Sequence, residues 1–97
     1  MIVQFDDGAE AEFLDAISFY ESREVGLGGD LLNEVLVAIG QIAERPLSWP
    51  VYTENTRRHF TRRFPYSIIY SIESDIVVIW AVAHTSREEF YWSDRLN

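Results

Sequence analysis

The chain has 97 residues and is strongly acidic, with 16 aspartates and glutamates against 8 basic residues, all of them arginine. It contains no cysteine, which excludes disulfides, zinc–thiolate sites and thiol nucleophiles. No apolar run approaches the roughly 18 residues of a membrane span, and the first residues lack the basic and apolar regions of a signal peptide. We therefore expect a soluble cytoplasmic protein that forms a single domain over residues 1–97 and makes no membrane contact.

The first half of the chain predicts a strand followed by two helices. Residues 2–5 are strand-like, and Asp6 and Asp7 offer N-cap oxygens to a helix predicted over about residues 8–22. A tight turn is predicted from three glycines, Gly26, Gly28 and Gly29. The second helix carries a broad apolar face and ends before Pro46.

The second half predicts a sheet. Residues 56–64 are strand-like. Within residues 66–72, large apolar side chains recur at every second position, as in a half-buried strand. Residues 73–75 have the length of a hairpin loop. Residues 76–83 are apolar throughout, which predicts a central strand covered on both faces. A last helical turn is expected within residues 88–96.

The predicted element order is β-α-α-β-β-β. Neither helix can bury its apolar stripe alone, so both must pack on something flat. The order therefore predicts an α+β fold, in which a helical hairpin packs on one face of a small, mostly antiparallel sheet. Tyr66 and Trp80, which lie on the third and fourth predicted strands, are expected in the core.

The inventory of reactive side chains favours no metal or cofactor site. The two histidines, His59 and His84, have no ligand-spaced partner, and His84 is interpreted as a hydrogen-bonded structural residue. No glycine-rich loop follows a strand, so neither a P-loop nor a dinucleotide fingerprint is present. We therefore expect neither a metal nor a cofactor.

Charge is distributed unevenly along the chain. Residues 1–55 hold 11 acids and 2 arginines, whereas residues 56–97 hold 5 acids and 6 arginines. Four arginines fall within seven acid-free residues, Arg57, Arg58, Arg62 and Arg63. The overall charge disfavours nucleic acid, because phosphate affinity is largely electrostatic. The arginine stretch is either a binding surface or a solvated strand edge.

Alternation along the second strand places two sets of side chains on opposite faces. Because successive side chains of a strand point to opposite faces, one face is predicted to carry Arg58, Phe60 and Arg62. The other face is predicted to carry Arg57, His59, Thr61 and Arg63. Arg87, Tyr91 and Arg95 follow the last strand. Arginine grips carboxylate or phosphate bidentately, and aromatic rings stack on bases, so these residues are suited to a nucleic acid, a protein or an acidic peptide.

Three segments resemble, in order and spacing, the signature of the ParE branch of the ParE/RelE toxin family. Residues 63–70 (RFPYSIIY) match its Arg-Phe-Pro-Tyr-x-Ile-x-Tyr motif. Residues 79–87 (IWAVAHTSR) resemble its strand ending in Ala-Val-x-His-x-x-Arg, and residues 91–95 (YWSDR) resemble its closing Trp-x-x-Arg. The resemblance covers essentially the whole chain. Phe64, Pro65, Tyr66 and Tyr70 are interpreted as fold-defining rather than active residues.

The resemblance implies the toxin of a type II, plasmid-stabilisation toxin–antitoxin system. ParE-type toxins poison DNA gyrase, whereas RelE-type toxins cleave mRNA on the ribosome with lysines, arginines and a tyrosine near the C-terminus. Parts of that catalytic set have counterparts here in Arg62, Arg63, Arg87 and Tyr91, but no lysine completes it. Gyrase inhibition is therefore favoured. mRNA cleavage and a non-toxic antitoxin-binding module stay open as alternatives.

The resemblance also implies partners. A cognate antitoxin is expected to form a hetero-oligomer with the toxin, and the target is DNA gyrase or, in the alternative, the ribosome and its mRNA. The residues predicted to bind target or antitoxin are Arg57, Arg58, Arg62, Arg63, Arg87, Tyr91, Trp92 and Arg95. We expect acidic antitoxin residues to meet the second-strand arginines. A net charge of −8 departs from the basic toxins usual in the family.

Overall fold

The computed structural model describes residues 1–96 and confirms the predicted element order. Its elements are β1 (Ile2–Phe5), α1 (Asp7–Arg23), α2 (Leu27–Glu44), β2 (Arg57–Phe60), β3 (Tyr66–Glu73), β4 (Ile76–His84) and a 3-10 helix (Ser93–Leu96). The strands form one sheet in the order β1-β4-β3-β2. β1 runs parallel to β4, and the other pairs are antiparallel. The helical hairpin covers one face of this sheet, and the opposite face is called the open face below.

The start of α1 is set by Asp6, as the sequence predicts. Its carboxylate accepts a hydrogen bond from the Ala9 N–H at 3.1 Å, which satisfies one of the free donors of the first helical turn. Asp7 and Glu10 place further negative charge in that turn, where the helix dipole favours it.

The glycines between the helices have different roles from the predicted ones. Only Gly26 lies in the turn, with a left-handed φ of 92°, whereas Gly28 and Gly29 belong to α2. Gly28 marks a close approach of the helices, because a Cβ there would lie 2.6 Å from the Ile17 carbonyl oxygen. The Glu21 carboxylate accepts the N–H groups of Gly26 at 2.9 Å and Gly28 at 3.0 Å. It thereby caps α2 from the neighbouring helix.

The main core lies between the hairpin and the sheet. Its most deeply buried members are Leu31, Val35, Ile42, Ile68, Tyr70, Val77 and Ile79. The Tyr70 hydroxyl donates to the Pro46 carbonyl at 2.5 Å, which ties the end of α2 to the sheet. These residues fit the predicted apolar faces, and burying each large side chain stabilises the fold by about 1.5–3 kcal/mol.

A second, smaller cluster covers part of the open face. Trp92 is buried there against Ile69, Ala81 and Ala83, with Tyr52, Tyr91 and Leu96 packed around it. The tail crosses the sheet in turns and ends in the 3-10 helix Ser93–Leu96, which is the helical turn expected within residues 88–96. The central strand is thus covered on both faces, as predicted.

Trp80 lies at a β-bulge in β4 and is not a core residue. Tyr70 pairs with Ile79 and Ile69 pairs with Ala81, so Trp80 is the extra residue between the two pairs. Its ring is half-buried on the open face, outside both clusters, with the indole N–H donating to the Ser71 hydroxyl at 2.8 Å. The prediction for Trp80 was wrong because a uniformly apolar run does not show which part of the open face is left without a covering cluster, whereas Tyr66 is buried as predicted.

The helix contact predicts opposite effects for two glycine-to-alanine changes in α2. Gly28→Ala should destabilise the fold by about 1–3 kcal/mol, because its Cβ would overlap backbone of α1. Gly40→Ala, which meets nothing within 4 Å, should stabilise it by about 0.5–1 kcal/mol. Denaturant unfolding of both variants checks this, and equal effects of the two would contradict the close approach.

The different burial of Tyr66 and Trp80 predicts unequal losses of stability when each is replaced by alanine. Tyr66→Ala should cost about 3–5 kcal/mol, because it empties a buried site. Trp80→Ala should cost only about 1–2 kcal/mol, because its ring is only partly buried and lies outside both core clusters. Thermal melts compare them, and a Trp80→Ala protein that fails to fold would contradict the position given to this ring.

Candidate binding surface on the open sheet face

The second strand is shorter than predicted, and this separates its arginines. β2 ends at Phe60, and the chain then turns, with the Thr61 N–H donating to the Tyr66 carbonyl at 2.9 Å. Arg58 and Phe60 share the open face, as alternation predicts, and His59 is hydrogen-bonded to Gln41 of α2 at 2.9 Å. The predicted alternation fails at Arg62, which lies in the turn and lines a groove beside α2 instead.

Two arginines of the stretch are already engaged within the protein. The Arg57 guanidinium donates to the Trp49 carbonyl at 2.7 Å and to the Leu47 carbonyl at 3.2 Å. Arg63 pairs with Asp30 at 3.0 Å, and both side chains are about half exposed, so the pair contributes little stability. The four arginines therefore do not form the single cationic surface that their spacing in the sequence suggests.

The open face carries a groove of about 360 Å³ between β2 and residues 85–96, which we call the C-terminal segment. We call this groove the open-face groove, and its charged and aromatic lining residues include Tyr52, Arg58, Phe60, His84, Arg87, Glu88, Glu89, Phe90 and Tyr91. The Arg58 guanidinium lies 3.8 Å above the Tyr52 ring, and that of Arg87 lies 3.8 Å above the Tyr91 ring. Within residues 1–96 neither arginine forms an ion pair. A stacked guanidinium keeps its N–H edge free for a carboxylate or phosphate.

Aromatic rings form one wall of the open-face groove. Tyr52 stacks on Phe90 with 5.4 Å between ring centroids, and Phe90 meets Trp92 edge-on at 6.2 Å. Phe90 adopts a left-handed φ of 62°, a conformation uncommon for a bulky residue. The Tyr52 hydroxyl donates to Glu89 at 3.3 Å, and burial together with that carboxylate raises the pKa of Tyr52. The wall thus combines apolar area with acids at its rim.

The C-terminal segment is held in place by Glu12 of α1. One Glu12 oxygen accepts the Val82 N–H at 2.9 Å and the Arg95 guanidinium at 2.7 Å, and the other accepts the Tyr91 hydroxyl at 2.6 Å. Arg95 also donates to the Trp80 carbonyl at 3.0 Å. β1 pairs with β4 only as far as Ile79. Glu12 and Arg95 therefore form hydrogen bonds with the Val82 N–H and the Trp80 carbonyl, two β4 groups beyond the end of that pairing.

Burial and the bond to Glu12 raise the pKa of the Tyr91 phenol above its usual range. Its hydroxyl is therefore kept protonated and occupied, and only the ring faces the open-face groove, under Arg87. Trp92 is 2% exposed and acts as packing beneath the segment. Of the predicted binding residues, the structure thus brings Arg58, Arg87 and the Tyr91 ring together. Arg57, Arg63 and Arg95 are engaged elsewhere, and Arg62 lies beside α2.

The comparisons with known proteins agree with this architecture. Residues 3–89 match the family described as ParE toxin of the type II toxin–antitoxin system parDE. The chain belongs to the ParE toxin family. A solved structure of the chromosomal ParDE toxin–antitoxin system from P. aeruginosa is similar in fold, with a TM-score of 0.62 and 17% identity. The likeness covers 89% of this chain and 97% of that one. No curated protein sequence matches the chain significantly.

In this ParE-family chain the signature segment is structural. Phe64, Tyr66 and Tyr70 are each at most 7% exposed, and the Pro65 carbonyl accepts the Thr85 N–H at 2.8 Å. His84 is hydrogen-bonded to the Ser86 hydroxyl at 2.7 Å, as the sequence predicts for a structural histidine.

Sequence reasoning missed Glu12, Tyr52 and Phe90 as parts of this surface, whereas it placed Phe60 on one face with Arg58. A single acid on an acid-rich helix gives no signal of its own, since only the tertiary structure shows that Glu12 meets β4 and Tyr91. Phe90, Tyr91 and Trp92 are adjacent in the sequence, and nothing in the sequence indicates which of these rings pack inward.

No helix within residues 1–96 is both long enough and apolar enough to cross a membrane. In the same part of the chain, no cluster of three histidine or carboxylate side chains is placed to hold a metal ion.

The contacts of Glu12 predict that it stabilises the C-terminal segment. Glu12→Ala should lower the free energy of unfolding by about 3 kcal/mol, because it removes the close partner of the partly buried Arg95 and leaves only the Asp6 carboxylate, at 3.9 Å. Amide exchange at Val82 and along residues 87–96 should accelerate. Glu10→Ala, on the same helix but exposed, is the control and should change stability by less than about 0.5 kcal/mol. Unchanged exchange in the Glu12 variant would show that the segment is held by Trp92 alone.

Proposed function

We propose that this ParE-family chain inhibits DNA gyrase, and that a cognate antitoxin neutralises it by covering the open-face groove. Family membership supports toxicity of the ParE type. The choice of gyrase over mRNA rests on one observation, which is that the side chains suited to RNA cleavage do not converge.

The side chains that correspond to the catalytic set for RNA cleavage are Arg62, Arg63, Arg87 and Tyr91. RNA cleavage requires an acid and a base within hydrogen-bond reach of one phosphate. Arg63 pairs with Asp30 near α2, whereas Arg87 lies on the open face, and the Tyr91 hydroxyl donates to Glu12. A target that is bound rather than cleaved needs no such convergence, so the geometry favours inhibition by binding.

The open-face groove suits an acidic antitoxin segment. Arg58 and Arg87 each offer a free guanidinium edge, and Tyr52, Phe60 and Phe90 offer apolar area beside them. A flexible tail that folds on the toxin gains from apolar anchors, and charge pairs fix its register. This revises the predicted contact, because Arg58 and Arg87 replace the continuous second-strand arginines as the residues that meet the acids.

One observation favours mRNA cleavage as a second candidate. His84 lies in the same groove as Arg58 and Arg87, and a histidine beside two arginines is a combination able to move a proton and stabilise a phosphate. Its Nδ1 is occupied by Ser86, which leaves Nε2 as the nitrogen that would take part.

Two parallel assays with the purified chain separate the candidates. We expect inhibition of gyrase supercoiling, and no cleavage of ribosome-bound mRNA, by the wild-type protein. His84→Gln should then leave gyrase inhibition unchanged, whereas Arg58→Glu with Arg87→Glu should weaken antitoxin binding at least about tenfold. Cleaved mRNA with unaffected gyrase would contradict the proposal and support the second candidate. Antitoxin binding with neither activity would indicate a non-toxic binding module.

A further inference from the structure

We propose that the antitoxin also anchors in a second hollow, built around Trp80 at the edge of the open face beside the loop after α2, through a large apolar side chain next to a lysine or arginine. This inference rests on the proposed function, since it assigns a further contact to the same antitoxin. Apart from Trp80, which lies in the signature segment of residues 79–87, it concerns residues that neither the family signature nor the open-face groove uses.

The Trp80 hollow has a volume of about 530 Å³ and shares no lining residue with the open-face groove. Its apolar side chains include Leu47, Val51, Trp80 and Leu96, and Glu54 and Glu73 stand at its rim. The space is sufficient for one large side chain and its flanking backbone.

Alternation along β4 and a hydrogen bond to Ser71 orient Trp80 toward this hollow. Trp80, the extra residue of the strand, has its ring on the open face rather than in the core. Its indole N–H donates to Ser71 at 2.8 Å, and the Ser71 hydroxyl donates to Glu73 at 2.9 Å. The polar atom of the ring is thus satisfied, and the ring is held in one orientation before any partner arrives. Such preorganisation reduces the entropy lost on binding.

The rim of the hollow exposes apolar side chains that the fold does not bury. Leu47 is 71% exposed and Val51 is 64% exposed, and both line the hollow beside Trp80. Apolar residues that gather around a shallow hollow with a polar rim are typical of protein-binding sites. Tryptophan is enriched among the residues that dominate binding energy at such sites.

Charge decides which partner fits the hollow. Glu54 and Glu73 are exposed at the rim, and the one arginine that lines the hollow, Arg57, donates its guanidinium N–H groups to the carbonyls of Leu47 and Trp49. The net charge of −8 adds a negative field around the whole chain. The hollow therefore favours a basic segment, in contrast to the open-face groove with its two free arginines. One antitoxin segment that crosses this face would place an acid in the groove and an apolar–basic pair in the hollow, which fixes its direction.

Binding of the purified antitoxin to matched variants of the full chain tests the hollow. Val51→Lys should weaken binding at least about tenfold, because it removes apolar contact and repels a basic partner. The control is Val25→Lys, the same change at an exposed valine between the helices, which should leave affinity within about twofold. Glu54→Lys should also weaken binding, and this effect should shrink as salt rises. Trp80→Ala should weaken antitoxin binding by a factor similar to that of Val51→Lys. Thermal melts verify that both variants fold.

The outcomes distinguish the hollow from the proposed function. Unchanged affinity of Val51→Lys overturns the hollow alone, as does tighter binding of Glu54→Lys, which would indicate an acidic segment. If the variants keep antitoxin affinity but lose gyrase inhibition, the hollow belongs to the target and the inference is wrong. A wild-type chain that does not bind the antitoxin overturns both the inference and the antitoxin part of the proposed function.

Discussion

The carboxylate of Glu12 lies where three parts of the protein meet. β1 is too short to cover the second half of β4, so the Val82 N–H is satisfied by Glu12 and the Trp80 carbonyl by Arg95. The same carboxylate holds Tyr91, and the C-terminal segment therefore crosses the open face instead of leaving it. Both the open-face groove and the Trp80 hollow have residues of that segment in their walls. An interaction within the fold thus shapes the surfaces that face outward.

The uneven charge of the chain takes on a clearer meaning in this arrangement. The acids of the first half lie mainly on the helical hairpin, whereas the arginines of the second half are divided between internal contacts and the open face. Only stacked, unpaired guanidiniums such as those of Arg58 and Arg87 offer strong anion contacts. Partner recognition therefore depends on two local sites of opposite preference rather than on the net charge.

The sequence predicts the fold well because the signals are periodic. The apolar stripes of α1 and α2, the cap at Asp6 and the alternation through Tyr66, Ile68 and Tyr70 all correspond to the structure. The site was less predictable, because its geometry depends on local irregularities. The bulge at Trp80, the early end of β2 before Arg62 and the internal pairing of Arg95 leave no periodic trace. The role of Gly28 was mispredicted for a related reason, because the sequence does not distinguish a glycine that lets two helices approach closely from a glycine that permits a turn.

The central claim is that the open sheet face, with its groove and hollow, is the surface that the antitoxin covers. Hydrogen–deuterium exchange of the wild-type chain with and without the antitoxin tests it most directly, because it reports the covered segments without any substitution. The account predicts new protection in residues 47–60 and 85–96, together with unchanged exchange along the outer faces of α1 and α2. Protection confined to the helical hairpin, with residues 85–96 exchanging as freely as before, would contradict it.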